Sequence, residues 1–484
     1  MTTPHRPRTT LFSPDQTERI VEDACRVLEK VGVVVENEQG AELLLAAGAQ
    51  KQGDRLTISE DAVRAAVATA PGEITMFDRS GDLAMTLAED HVHFDPGSAA
   101  INIIDTASGE RRAAATGDLV NLARLVDGLP NYAAQSTALV PADVPDAIGD
   151  RYRLYLALAN GRKPVITGTF ATSGFLPMRE MLQVFRRDEA DLRAHPLGIF
   201  DCCPSPPLRW SNLTCQSLID CARSGIPAEL ISMPLTGATS PVTLREAVVQ
   251  HCAENLSGIV IHQTAAPGSP IIYGGAPSAF DMRFGSTPMG AMETMMIDVA
   301  YAQVGKVLDL PTHGYLGLSD AKTPDYQAGL ESGMGAVLAA LAGINVVSGP
   351  GILDFILTQS LEKLLLDHEA CGMALRLVRG IAHRAEDPAD LIGELVTTGE
   401  FLSHGHTRKY WKEELSVASP LIDRDSYRDW EAKGSQTALD RANAEVAKRL
   451  AKHPGTPPAD TELAELRKIM TAEARRHGLD ELPS

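Results

Sequence analysis

Asp320 and Lys322 put a carboxylate and an ammonium two residues apart in "GLSDAKT", directly after the apolar run "THGYLGL" and before a helix start at Thr323-Pro324-Asp325. A pair of opposite charges at a strand end can hold a small ligand or move a proton, although an exposed pair is also an ordinary weak rim ion pair. Thr323 reads as a helix cap with Pro324 at the first position and Asp325 as a first-turn acid. His313 lies inside the same apolar run, where it is either a reacting group or a satisfied core histidine. Asp320, Lys322 and His313 are therefore the candidate catalytic residues. Glu331, four residues after Gln327, reads as a helix-face hydrogen-bonder.

Other strand-like runs end in aromatic and polar residues. Phe170, Phe200-Asp201, Tyr273 and Tyr315 lie at or near such ends, with Phe280, Asp281 and Arg283 in a following loop. Aromatics are only 5% of the chain, so their gathering at these ends carries some information. Aromatic faces suit a quaternary ammonium or methylated amine through cation–π attraction, while bulky side chains also simply fill interiors. Gly274-Gly275, the turn "SGPGI" with Gly349 and Gly351, and "DPGSA" at 95–99 would let a large flat ligand approach the backbone, or serve as plain tight turns. Cys202-Cys203 are adjacent, His251-Cys252 falls mid-helix, and His368-Glu369 belongs to no H-E-x-x-H, so no metal site is expected. The chain has no G-x-S-x-G elbow, no P-loop and no G-x-G-x-x-G after its first strand.

The elements that must position these residues follow a countable rhythm. Residues 14–70 read as helices, the first opened by Ser13-Pro14 and stopped by Gly32, another capped by Ser59. Residues 71–93, with "EITMF", suggest antiparallel strands. From about 94, apolar runs alternate with helix-length runs: "AAINIID", "YAAQSTALV", "PVITGTF", "PLGIFDCC", "PAELISMPL", "PIIYGG", "THGYLGL" and "INVVSGP", each followed by a helix. Unalternating strands are buried on both faces, which implies a parallel sheet covered by helices. Eight such units favour a closed (β/α)8 TIM barrel over an open sheet. The expected organisation is an N-terminal α/β extension over 1–93, a catalytic barrel over 94–380, and a C-terminal helical extension over 381–484.

A formal net charge of −19 over 484 residues argues against nucleic acid or an anionic membrane surface as partner. The N-terminal stretch has no apolar signal region and no uncharged apolar run is long enough to cross a bilayer. Seven cysteines without framework spacing read as reduced thiols, and these features together place the protein in the cytoplasm.

The segments "VLEKVGVVV", "DTASGERRAAATGDLVNLARLVDGLPN", "PGSPIIYGG", "GLSDAKTPDYQAGLES" and "HTRKYWKEELSVASPLIDRDSYRDWEAKG" occur in an order and spacing that resembles the trimethylamine methyltransferase (MttB-like) family of corrinoid-dependent methyltransferases. The resemblance covers nearly the whole chain and implies a (β/α)8 barrel with terminal extensions. It implies transfer of a methyl group from a methylated amine to a Co(I) corrinoid (cobalamin) on a separate small protein, with none bound tightly by this chain. Founding members carry pyrrolysine, which this sequence lacks; the pyrrolysine-lacking branch is associated with glycine betaine and related betaines. The donor is then expected to be a quaternary amine, with trimethylamine or another methylamine as the alternative. Aromatic faces (Phe170, Phe200, Tyr273, Tyr315) would hold N-methyl groups, and His313, Lys322, Arg283 or His406 would hold a carboxylate, the last if "SHGHT" folds over the barrel mouth. Gly274, Gly275, Gly349 and Gly351 would give the corrinoid room. Expected partners are the amine, the corrinoid protein and further copies of this chain, with no nucleic acid and no membrane. Two rivals stay open: a metal-dependent TIM-barrel lyase using acids such as Asp201, Asp281 and Asp320, and a non-catalytic betaine-binding protein.

Overall fold

Two parallel ladders carry the architecture in the computed structural model, which describes residues 5–97, 99–384 and 387–483. In chain order the strands that matter here are β1 (Ile74–Phe77), β2 (Leu83–Leu87), β3 (His93–Asp95), β4 (Gln135–Ser136), β5 (Val165–Thr167), β6 (Gly198–Cys202), β7 (Ala228–Leu230), β8 (Ile271–Ile272), β9 (His313–Tyr315) and β10 (Val346–Ser348). One ladder runs β8-β7-β6-β5-β4 and the other β9-β10-β3, all parallel. Single parallel bridges, Phe94 to Tyr132 and Tyr273 to Thr312, join their adjoining edges.

Helices α1 (Pro14–Lys30), α2 (Glu38–Ala46) and α3 (Glu60–Val67) precede the ladders, and α1 and α3 open on Ser13 and Ser59 as their sequences require. Between the strands run α4 (Thr116–Asp127), α5 (Gly149–Asn160), α6 (Phe175–Gln183), α7 (Glu189–Ala194), α8 (Asn212–Ser224), α9 (Leu244–Ala265), α10 (Met292–Val307) and α11 (Tyr326–Ala342). After β10 come α12 (Leu361–Val378), α13 (Pro388–Thr398), α14 (Gly405–Glu414), α15 (Tyr427–Ala432), α16 (Ala438–Lys452) and α17 (Asp460–Arg476). The late helices return to the ladder helices: α16 lies on α12 and α4, and α17 on α5 and α6. There Arg151 Nε meets Glu473 Oε2 at 3.1 Å with both side chains buried.

The period of two within each strand separates two faces. Val165, Phe200, Ala228, Leu230, Ile271, Tyr273 and Val347 pack into the main core with the helices. Their neighbours Ile166, Ile199, Ile272 and Val346 pack instead with Ala134 and with Ile74, Met76, Met85 and Leu87 of the antiparallel β1–β2 hairpin. That hairpin closes the amino end of the inner face with apolar side chains, each worth roughly 1.5–3 kcal/mol when fully buried. Two residues further on, the inner face turns polar: Ser136, Asp201 and Ser348 follow Ala134, Ile199 and Val346.

The first expected strand is corrected. Within "AAINIID", Asn102–Ile104 pairs with Thr358–Gln359 and Arg111–Ala113, outside both ladders. The ladder position belongs to His93–Asp95, which puts Asp95 on the inner face and reads as polar in the sequence. The expected boundary between 93 and 94 thus falls inside a strand. The start of α11 is also corrected: Asp325, not Thr323, is the cap, accepting from the Ala328 N–H at 3.2 Å.

Candidate active site

Asp95, Asp201, Glu229, His313 and Ser348 gather on the inner face from five different strands. The Ser348 hydroxyl lies 3.0 and 2.9 Å from the two Asp95 carboxyl oxygens. His313 Nε2 is 3.2 Å from that hydroxyl oxygen and 3.3 Å from Glu229 Oε1. β8 lies between β7 and β9, and Gly274 beyond its end is what lets the two side chains meet across it. A Cβ there would stand 2.8 Å from His313 Cβ and 2.9 Å from the Leu230 carbonyl oxygen. Glu229 also hydrogen-bonds the Asp201 side chain.

Burial governs the charges of this group. It drives the Glu229 carboxyl well above the usual range, with Asp201 and Asp95 adding repulsion. Asp95 is raised for the same first reason, its bond from Ser348 opposing and Asp201 adding to the rise. His313 is pushed down to about 3 by burial alone. Burial therefore disfavours the charged form on both sides of the 3.3 Å His313–Glu229 contact. Glu229 Oε2 and His313 Nδ1 have no hydrogen-bond partner among the described residues.

Above these acids sits an apolar collar. Tyr315, Ile231, Ala276, Met289, Leu318 and Ile352 form one cluster, and the Tyr315 ring stands edge-on to His313 at 5.1 Å. Beside it a guanidinium enters from α5: Arg153 is fully buried, donates through Nη2 to Thr137 Oγ1 at 3.0 Å and to the Thr137 carbonyl, and lies 4.9 Å from the Phe170 ring. Asp150 and Asp201 are its facing anions.

Of the residues singled out in the sequence, Asp201, His313 and Tyr315 stand on the inner face. Asp320 does not reach it; its two carboxyl oxygens accept from the Met289 and Gly290 N–H groups at 2.9 and 2.8 Å. Burial raises Asp320 to about 6 despite those bonds, with Glu331 adding to the rise. Glu331 itself binds the Ser319 hydroxyl at 2.5 Å and the Asp320 N–H at 2.9 Å. The expected Asp320–Lys322 side-chain pair is not formed. Lys322 Nζ donates to the Asp320 carbonyl at 2.6 Å, lies 3.6 Å from Asp354 Oδ1 and 3.8 Å from the Phe355 ring centre.

Phe200 and Tyr273 face the helices, not the inner face. Phe200 packs on Phe175, while the Tyr273 hydroxyl approaches His251 Nδ1 at 3.5 Å. Arg283 is exposed and paired with Asp281 at 2.6 Å on a loop tip. His406 packs edge-on to Tyr410, whose ring carries Arg384 just past the carboxyl end of α12. The four glycines are filled by this chain itself: Gly274 by His313, Gly275 by His251 and the Ser232 carbonyl, Gly349 by the Leu316 carbonyl and Gly351 by Gln359. In the turn "DPGSA", Gly97 is closed by Ile352, and Ser98 lies outside the described residues.

Sequence reasoning missed Asp95, Glu229, Ser348 and Arg153. The available signal was a single carboxylate inside the apolar run "PAELISM", where no alternation calls for a polar residue. Among the described residues no three His, Cys, Asp or Glu side chains are grouped to hold a metal ion, and no helix is long and apolar enough to cross a membrane.

A mixed α/β chain with buried acids beneath an aromatic and methionine collar is the class that fold and site define. The family model described as Trimethylamine methyltransferase (MTTB) matches residues 1–477, so the chain belongs to that family and is an enzyme of the methyltransferase class. It is 29% identical over 471 residues to the trimethylamine methyltransferase MttB of Desulfitobacterium hafniense strain DCB-2, covering 97% of this chain and 95% of the relative. It is likewise 29% identical over 456 residues to a glycine betaine methyltransferase of Desulfitobacterium hafniense strain Y51, covering 94% of each. Among solved structures, the monomethylamine methyltransferase of Methanosarcina barkeri superposes with a TM-score of 0.54 at 10% identity, over 92% of this chain and 88% of the other, a likeness of fold.

Proposed function

We propose that this protein moves a methyl group from a quaternary amine, glycine betaine or a related betaine, to a Co(I) corrinoid carried by a separate protein. In this reading the two ladders, joined at Phe94–Tyr132 and Tyr273–Thr312, are the wall of a (β/α)8 barrel spanning about 94–380, and its inner face is the donor site. The observation that carries the reading is the set of buried, charge-suppressed acids Asp95 and Glu229, together with Asp201, under Tyr315. A permanent cation cannot shed its charge on entering a buried site, so the site must supply the counter-charge. Neutral acids do this without cost in the empty protein: an ammonium within about 4–6 Å favours their ionised form, and a proton leaves as the cation enters. Tyr315 and Met289 then offer soft faces to the N-methyl groups.

When a methyl group departs, nitrogen keeps the bonding pair and becomes a neutral tertiary amine. The ionised acid loses its partner, takes back a proton and releases the product. The corrinoid supplies the nucleophile, which is why the site needs no activated serine or cysteine. The loops beyond the strand tips suit a flat macrocycle delivered by another protein, since Phe170, Met233, Phe284 and Leu357 are exposed there. Mixing the protein anaerobically with cob(I)alamin and a panel of methylated amines tests this reading. Loss of the Co(I) spectrum with a quaternary amine is expected; no response to any panel member contradicts the function, and a response to trimethylamine alone contradicts the betaine donor.

A further inference from the structure

We infer that Arg153 is the specificity residue of this site, holding the carboxylate of a zwitterionic quaternary amine whose ammonium end lies over the acids. The inference rests on reading the inner face as the methylated-amine site, and it adds where the far end of the donor is recognised.

Three observations carry it. Arg153 comes from α5, a helix of the outer layer, yet is 2% exposed, and its guanidinium meets Thr137 just past the end of β4. Its hydrogen bonds to the Thr137 carbonyl and hydroxyl both use Nη2, and Nε has no partner among the described residues. A guanidinium carries five N–H donors in a planar fork suited to a carboxylate, so this one retains unspent capacity in a buried place. Its faces are already committed: Phe170 lies 4.9 Å from Cζ, so that ring stacks on the arginine instead of on a substrate cation.

The charges around it are arranged for a dipole. Arg153 stands beside the β4–β5 pair, with Asp95 on β3 and Asp201 on β6 flanking that pair and Glu229 one strand further on β7. Burial lowers Arg153 to about 10, which leaves it cationic at neutral pH, and Asp150 and Asp201 are the acids facing it. A cation alone would be repelled by the arginine, and an anion alone would leave the buried acids without a partner. A molecule bearing an ammonium and a carboxylate a few bonds apart satisfies both, and its carboxylate would use the donors that Thr137 leaves free. Lys322 and Arg283, the other cations near strand ends, are half-exposed or fully outside and already paired with Asp354 and Asp281.

Isothermal titration of the corrinoid-free protein tests the inference with two probes, glycine betaine and the carboxylate-free tetramethylammonium ion. Arg153→Gln is expected to weaken betaine binding at least tenfold, as loss of a charge-assisted hydrogen bond does, while changing tetramethylammonium binding by less than about threefold. Equal losses for both probes, or undiminished betaine binding, overturn the inference. If Arg153→Gln does not fold, Arg153→Lys keeps the charge without the planar fork and is judged by the same selective loss. Failure of the wild-type protein to bind either probe would instead strike the functional reading itself.

Discussion

Glu229 and His313 show how much the site depends on burial, which is the first cause opposing the charged form of each, with Asp201 and Asp95 adding to the rise at Glu229. The sign of the resulting pH dependence follows directly. Burial favours the protonated form of Glu229 and Asp95, and a bound cation favours their ionised form. Binding of a quaternary amine is therefore expected to release protons and to tighten as pH rises; titration in buffers of different ionisation enthalpy checks this, and pH-independent binding without proton release refutes it. Glu229→Gln keeps shape and hydrogen bonding but cannot ionise, so it should weaken binding by roughly tenfold or more and reduce the proton release. Asp320 acts at one remove, through the Met289 and Gly290 N–H groups it holds. Asp320→Ala should leave two buried N–H groups unsatisfied, cost about 1–3 kcal/mol of stability in chemical denaturation, and raise KM as Met289 loosens. Unchanged stability would show that the loop does not need this anchor. His313 and Tyr315 were legible because a histidine and a tyrosine at a strand end stand out. Arg153 was not legible, since nothing in a helix sequence tells which charged residue will point inward.

At the scale of elements, the rhythm of strands and helices was readable wherever both faces of a strand are apolar, as in "INVVSGP" and "PIIYGG". It failed at β3, where Asp95 interrupts the apolar run of "HVHFDP" at an inner-face position, while the more apolar "AAINIID" drew the assignment. Glu229 differs: its strand "PAELISMPL" was found, but the lone carboxylate within it was not singled out. Gly274 shows how one element makes room for two others. Gly274→Ala would press a methyl group against His313 Cβ and the Leu230 carbonyl. It is expected to cost about 1–3 kcal/mol by overpacking and to separate His313 from Glu229, lowering methyl transfer well beyond the loss of stability. Thermal denaturation alongside turnover checks this, and a variant with wild-type turnover would mean the His313–Glu229 contact is dispensable.

Across the whole molecule, helices before and after the ladders lock onto the ladder helices, and their cores contain histidines that must stay neutral. His262 on α9 is fully buried, touches Gln263 Nε2 at 3.1 Å, and is pushed down to about 3 by burial. Its depressed value contributes stability that is present above pH 6.5 and lost as pH falls toward 3, at about 1.4 kcal/mol per pH unit. His262→Gln removes that dependence, so the stability gap between wild type and variant should shift in the variant's favour as pH drops from 7 to 5. A constant gap in denaturant titrations would show that His262 does not titrate with folding.

In the proposed complex an N-methylated cation sits on the inner face against Glu229 and Asp201. A crystal structure of the protein with glycine betaine bound tests it most directly. The account predicts the ammonium nitrogen within about 6 Å of the Tyr315 ring and beside the Glu229 carboxyl. Betaine lodged outside the ladders, or density on the inner face with the nitrogen turned away from every acid, would contradict it.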